Sequence, residues 1–430
     1  MSLHTSQAVH VVIVGAGFGG RDAALRLANR LPAGSRLTLI DRNDYLLYTP
    51  MLTEAAGRSV SPLHIQAPTR GLSRRIHFIQ AEVTHADLRR RTVTLANGDT
   101  IVADHLLFAL GSTANYRKVE GAEEHSLTMK TLEDARRVRT IAQRNVVLAA
   151  TESDPEKRKL LLSFVVAGAG YTGVETIAAL NDLIRDTAEE HGTDLQDLQI
   201  TLVEPAERVL AEMPKPLADY SQGQLEAAGI RVRTGNGVEK VEAGRLTLAN
   251  GETMTAGLLV WDTGIRPNPL VDGFDCERGQ KGGIATDSTF RVLKRPGVWA
   301  IGDCAEIPKP DGSGKFFEAT AQNATREGVH VADNILAVIR GLPVKPFRYK
   351  QIGELAVVGR YSGVANVYGL QFQGPFAWLM WRAIYIAKLP GMAQRIGVLG
   401  DWLRLVAGRQ FVPVTWRQGA TSHSRDSQAT

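Results

Sequence analysis

Cysteine is nearly absent. The 430 residues hold two, Cys276 and Cys304, and neither belongs to a Cys-x-x-Cys or similarly close pair. That spacing gives no support to a disulfide framework and points to a reducing compartment. It also argues against disulfide-reductase chemistry, which needs two thiols facing each other beside a cofactor. Long apolar runs are missing as well, so no membrane-spanning helix is expected. The first ten residues carry no basic and apolar signal segment. The ten histidines show no metal-ligand spacing, and no metal site is expected. Charge of one sign is scarce: 50 Lys and Arg face 45 Asp and Glu, a net +5. No basic, aromatic-interleaved patch lies outside the C-terminal stretch, which leaves nucleic-acid binding weakly supported. With 44% hydrophobic and 22% charged residues, the chain is globular and long enough for two or three domains.

What the chain does have is one motif twice. Val11 to Val14 is a β-branched run leading into Gly15, Gly17 and Gly20, spaced G-x-G-x-x-G. A helical pattern follows, then Arg36-Leu-Thr-Leu-Ile-Asp41, a second strand ending in an acid. Strand, glycines, helix, strand and acid in that order make a dinucleotide-binding unit. Gly15 permits the tight turn, Gly17 the approach of a pyrophosphate, and Gly20 close helix–strand packing. The helix N-terminus offers free N–H groups to phosphate, and Asp41 can accept from a ribose. The second copy runs from Leu161 through Gly168, Gly170 and Gly173 to Glu204. Its acid comes late because the polar segment Asp186 to Gln199 lengthens the helix and loop. Thr-Leu-Ala-Asn-Gly stands at 94–98 and again at 247–251, so the repeat spans whole domains. Gly297-Val-Trp-Ala-Ile-Gly302-Asp303 reads as a later strand ending in Gly-Asp.

This order resembles the glutathione-reductase-like flavoproteins with two dinucleotide-binding domains. Within them the chain is most similar to the type II, or alternative, NADH:quinone oxidoreductases, from about Val11 to Phe411. The segments that carry the similarity include Asp41-Arg-Asn-Asp-Tyr-Leu-Leu-Tyr-Thr-Pro, Gly170-Tyr-Thr-Gly-Val-Glu175 and Thr263-Gly-Ile-Arg-Pro-Asn. The discriminating ones are Ala321-Gln-Asn-Ala, like the family's quinone-site motif, and the tail from Trp378 to Leu403. The resemblance implies an α/β fold of two Rossmann-like domains, with an FAD domain interrupted by an NAD(H) domain. It implies FAD on Gly15, Gly17, Phe18, Gly19, Gly20, Asp41, Arg42, Val83, Gly111, Asp303, Ala321 and Gln322. It implies NADH on Gly168, Gly170, Tyr171, Gly173, Glu204 and Gly264, with Glu175 and Gln322 as catalytic residues. Arg326 departs from the family motif, which often has a second Gln there. Lys130 falls where relatives carry a lysine near the flavin, and it reads equally well as a solvated helix-start residue. Glu204 favours NADH, and Arg208 nearby keeps NADPH open.

The expected segments are 8–120 (FAD domain, first part), 121–295 (NAD(H) domain), 296–375 (FAD domain, second part), 376–411 (amphipathic docking helices) and 412–430 (a disordered tail). Residues 376–430 hold seven Lys and Arg against two acids, which is the whole net charge. Trp378, Trp381 and Trp402 among these cations suit a helix lying at a membrane surface. The alternative is a helical pair packed on the body or against a second copy. The expected protein is therefore a peripheral enzyme on the cytoplasmic side of the cell membrane. It passes hydride from NADH to flavin and two electrons to a membrane quinone, without pumping protons. Other readings are a soluble reductase of a protein or small acceptor, and a flavoprotein that senses nucleotides without turnover. A sulfide:quinone oxidoreductase would need better-placed cysteines.

Overall fold

The computed structural model describes residues 8–407. Strand β1 (His10–Val14) is almost wholly buried and passes through the first glycine loop into helix α1 (Phe18–Ala28). Then come β2 (Arg36–Asp41), β3 (His77–Gln80) and β4 (His105–Phe108). The second unit repeats the plan with β5 (Ser163–Ala167), α2 (Tyr171–His191), β6 (Gln199–Val203), β7 (Arg231–Arg233) and β8 (Leu258–Trp261). Strand β9 (Val298–Ala300) returns to the first sheet beside β4. Both sheets are parallel, in the orders β9-β4-β1-β2-β3 and β7-β6-β5-β8. Near-continuous apolar strands suit sheets covered on both faces.

The register shows how closely the units match. Val14 pairs with Phe108 and Ala167 with Trp261, each just before a glycine loop. The Gly15 N–H donates to Ile40, and the Gly168 N–H donates to Val203. Helix α2 runs 21 residues, beyond the Val174–Leu183 read from its pattern, and absorbs part of the polar insertion. Gly192, left-handed at φ +63°, ends it. Both Asn-Gly segments are hairpin turns with the glycine at positive φ.

Two boundaries differ from the sequence reading. After β8, residues Ile265–Pro267 pair with Ser112–Ala114. From there Val271, Phe274, Ile284 and Val292 pack with Val12, Val14 and Phe108, so the chain rejoins the first unit well before residue 296. Those apolar residues are too scattered to read as an element. Helix α3 (Ala321–Ile339) then crosses α1. Strands β10 (Gly353–Gly359), β11 (Ser362–Val367) and β12 (Leu370–Gly374) form an antiparallel sheet on α2. Ala356, Val358 and Val364 of this sheet share a core with Ile177, Trp381 and Trp402, so the C-terminal module starts at the sheet and not at residue 376.

The tail folds as two helices, α4 (Pro375–Lys388) and α5 (Met392–Val406), broken at Pro390 and Gly391 as expected. Its tryptophans are a correction. Trp381 and Trp402 are buried, and the buried Arg382 guanidinium lies 4.2 Å from the Trp378 ring and 4.1 Å from the Trp402 ring. Large rings gain most from burial, and a desolvated cation is held well over their faces. The outward residues are Phe376 and Leu379 on α4 and Met392, Ile396, Leu399 and Leu403 on α5. Arg409, Phe411 and the expected disordered segment lie outside the described residues. No helix among the described residues is long and apolar enough to cross a membrane.

Candidate functional site

One cleft of about 1170 Å³ runs between the two units. Its walls include both glycine loops, the Gly302–Asp303 turn, the start of α3 and the end of α4. The two loops are superimposable in their chemistry. Gly15 and Gly168 share φ +103°, and a Cβ on either would stand 2.2 Å from a facing carbonyl oxygen, that of Ala109 or Asp262. A Cβ on Gly20 or Gly173 would meet the oxygen of Gly15 or Gly168 within 2 Å. A Cβ on Gly17 or Gly170 would meet nothing within 4 Å among the described residues beyond its own chain neighbours, so the backbone is open to the cleft there. Neither α1 nor α2 has a side-chain cap, and their first N–H groups are left for a ligand.

Both terminal acids brace these loops. Asp41 accepts from the N–H groups of Ala16 (2.6 Å) and Asn43 (2.8 Å). Glu204 accepts from Ala169 (2.6 Å) and Ala206 (2.8 Å). Both also line the cleft. Arg208 lines it too, but its guanidinium is turned onto the carbonyls of Ala211 and Met213, as a loop-bracing arginine would be.

Phe18, Gly19, Arg42, Gly111, Lys130, Tyr171, Gly264, Asp303, Ala321 and Gln322 all reach the cleft. Gly15, Gly20 and Gly173 stand behind its wall and act through loop shape. Val83, expected to reach the adenine through its backbone, is not part of the wall, and its side chain is buried with Ile40 and Phe108. The Asp303 carboxylate accepts from the Ser112 hydroxyl at 2.7 Å. Buried Glu327, pushed up to about 7 by burial, accepts from the Gly302 N–H and holds the same turn. Thr320 caps α3 through the Asn323 N–H, leaving the Ala321 and Gln322 N–H groups at the cleft. Tyr349 donates to Gln322 Oε1 at 2.6 Å, and the Arg326 guanidinium lies over the Tyr349 ring at 4.4 Å. Arg326 itself is not part of the wall.

Glu175 is on the cleft wall in the second turn of α2. Burial pushes it up to about 8, with Glu54 and Asp262 adding to the rise, against the Val357 and Trp381 N–H groups. Both of those groups donate to its Oε1 at 3.1 Å. Trp381 stacks on Tyr385, which lines the cleft. The tail thus builds part of the site, a role its residue pattern does not disclose, because Trp381 reads equally as a surface ring. Ser112, Tyr349 and Glu327 were missed for the same reason: they act by contacts between distant segments. Cys304 is buried and pushed up to about 12, which leaves it without thiolate chemistry. Among the described residues no cluster of three or more potential ligands could hold a metal.

The sequence model of the family described as pyridine nucleotide-disulphide oxidoreductase matches residues 9–328. That of the NDH2 C-terminal domain matches 352–410, which agrees with a module starting at β10. A protein of Dictyostelium discoideum named "Probable NADH dehydrogenase" is 30% identical, over 93% of this chain and 90% of its own. The "Type II NADH:quinone oxidoreductase Ndh" of Mycobacterium tuberculosis is 29% identical, over 91% of this chain and 87% of its own. The NDH2 structure from Plasmodium falciparum, in complex with NADH, shares the fold with a TM-score of 0.86 at 19% identity. It covers 94% of this chain and 99% of that one.

Proposed function

Since the chain belongs to the pyridine nucleotide-disulphide oxidoreductase family and carries the NDH2 C-terminal domain, we propose that it is an FAD-dependent NADH:quinone oxidoreductase that pumps no protons. The observation that carries this reading is the cleft that joins two uncapped glycine loops, the Asp303 turn, Gln322 and a half-buried, proton-holding Glu175. FAD fits the first unit, because Gly17 leaves the loop open and the α1 N–H groups have no side-chain partner. Bound there, FAD supplies the two-electron relay between nicotinamide and quinone.

The protein's own residues bind, orient and hold protons. Asp41 and Asp303 take the ribose and ribityl hydroxyls of the flavin, and Glu204 takes the ribose of NADH. Glu204 and the engaged Arg208 favour NADH over NADPH. Gln322, its oxygen taken by Tyr349, turns its amide N–H groups to the cleft and donates to a carbonyl oxygen. Glu175 keeps a proton at neutral pH that quinone reduction can use. The outward apolar faces of α4 and α5 support docking on a membrane surface, and the cytoplasmic face is where NADH is available. A homodimer would compete for those same faces.

The test is spectroscopic. NADH added without oxygen should bleach the flavin, and a soluble quinone should restore it. No bleaching would end the enzyme reading, and bleaching without recovery would end the quinone as acceptor.

A further inference from the structure

The two units are close enough to serve as controls for each other, and they differ at one position beneath the glycine loops. In the first unit the residue after β4 is Ala109, whose N–H donates to Val14. In the second the residue after β8 is Asp262, whose N–H donates to Ala167. Each backs the first glycine of its loop through its carbonyl. Beside the third glycine the units part. A Cβ on Gly20 would meet the Ala109 methyl at 3.2 Å, and one on Gly173 would meet the Asp262 Oδ2 at 3.4 Å. A carboxyl oxygen therefore stands in the second unit where a methyl stands in the first.

That place is the N-terminal end of α2, which has no side-chain cap and lines the cleft with Gly168, Gly170 and Asp262. The helix end attracts negative charge, and a dinucleotide pyrophosphate would use it. Asp262 puts a resident acid in the same field. We propose that Asp262 sets the affinity of the second nucleotide site, its carboxylate competing with the pyrophosphate for the α2 N-terminus, so that the dinucleotide binds with uptake of one proton at Asp262. This rests on the reading of the second unit as the NADH site.

The surrounding charges decide the direction. Burial pushes Asp262 up to about 7 and Glu204 adds to the rise, while Lys130 and the Gly173 N–H pull it down. Glu175, on the same helix, also feels it and is pushed up to about 8. A dianionic pyrophosphate at the helix end adds repulsion against the ionised form and favours the proton further. Affinity should therefore fall as pH rises through about 7.

The probe is NAD⁺, titrated into the FAD-loaded full chain from pH 6 to 9 by calorimetry in two buffers of different ionisation heat. For the native chain the Kd should rise by up to about tenfold per pH unit above pH 7, with proton uptake on binding. Asp262→Asn and Asp262→Ala, the latter copying Ala109, should bind more tightly at pH 8.5 and lose the proton uptake. Retained flavin absorbance shows that each variant is folded. An unchanged pH slope in Asp262→Asn, or weaker binding by both variants at every pH, would overturn the proposal. If the native chain binds no NAD⁺ at any pH, the nucleotide reading of the second unit fails and takes this inference with it. If it binds NAD⁺ without pH dependence, only this inference fails.

Discussion

Among the described residues Glu175 has no charged partner within ion-pairing distance, and two N–H donors hold one of its oxygens. Unfolded, a glutamate titrates near ~4.3. Folded, this one is pushed up to about 8, chiefly by burial. The folded chain thus keeps a proton that the unfolded chain has lost, and stability falls as pH rises between those values. Glu175→Gln keeps an oxygen for both donors and removes the ionisation. It should melt with the native protein below pH 4 and several degrees above it at pH 8, in thermal scans followed by circular dichroism. The same variant should still bleach with NADH yet turn over a soluble quinone at least about a hundredfold more slowly, the usual scale of a lost proton donor. Its rate should also lack the native fall above pH 8. Unimpaired quinone turnover would remove Glu175 from the proton-transfer role.

At the scale of elements, α5 shows what a pattern can and cannot disclose. The helix and the break before it were legible, but apolar residues stand on two sides of it, Val398 and Trp402 on one and Met392, Ile396, Leu399 and Leu403 on another, and only packing decides which turns inward. Asp401 decides it. The carboxylate is fully buried and accepts from the Ser61 N–H at 2.8 Å and meets His64 Nδ1 at 2.6 Å, which ties the helix to the 61–65 turn. Trp402 follows it inward and donates to Glu54. Met392, Ile396, Leu399 and Leu403 are left outside at helical spacing. Asp401→Ala strands a buried N–H and should cost about 1–3 kcal/mol, read as a lower urea midpoint. Replacing Ile396 and Leu403 together with Glu should leave soluble-quinone turnover intact and abolish sedimentation with vesicles. Sedimentation that survives the pair of charges would mean that another surface docks.

For the whole molecule, the duplication was the most legible feature, because glycine geometry and strand pattern are local. The cleft itself was not, since it depends on where segments far apart in sequence return. Among the described residues the buried side chains form four cores, and two of them anchor separate bodies. Trp299 belongs to the core around β1 and α1, with Val11, Leu27 and Phe290. The other body joins α2 to the C-terminal module and includes Trp381 and Trp402. FAD would bind chiefly to the first body, and a ligand that binds only the folded form stabilises it by mass action, about 2.7 kcal/mol at a hundred times its Kd. Stripping the flavin should therefore weaken the first body selectively. Heating the apoprotein should expose Trp299 in an early fluorescence transition, ahead of the loss of far-ultraviolet ellipticity. Trp299→Phe should delete that early optical phase, and returning FAD should merge the two transitions. A single coincident transition in the apoprotein would show that the shared cleft couples the bodies tightly enough to unfold as one.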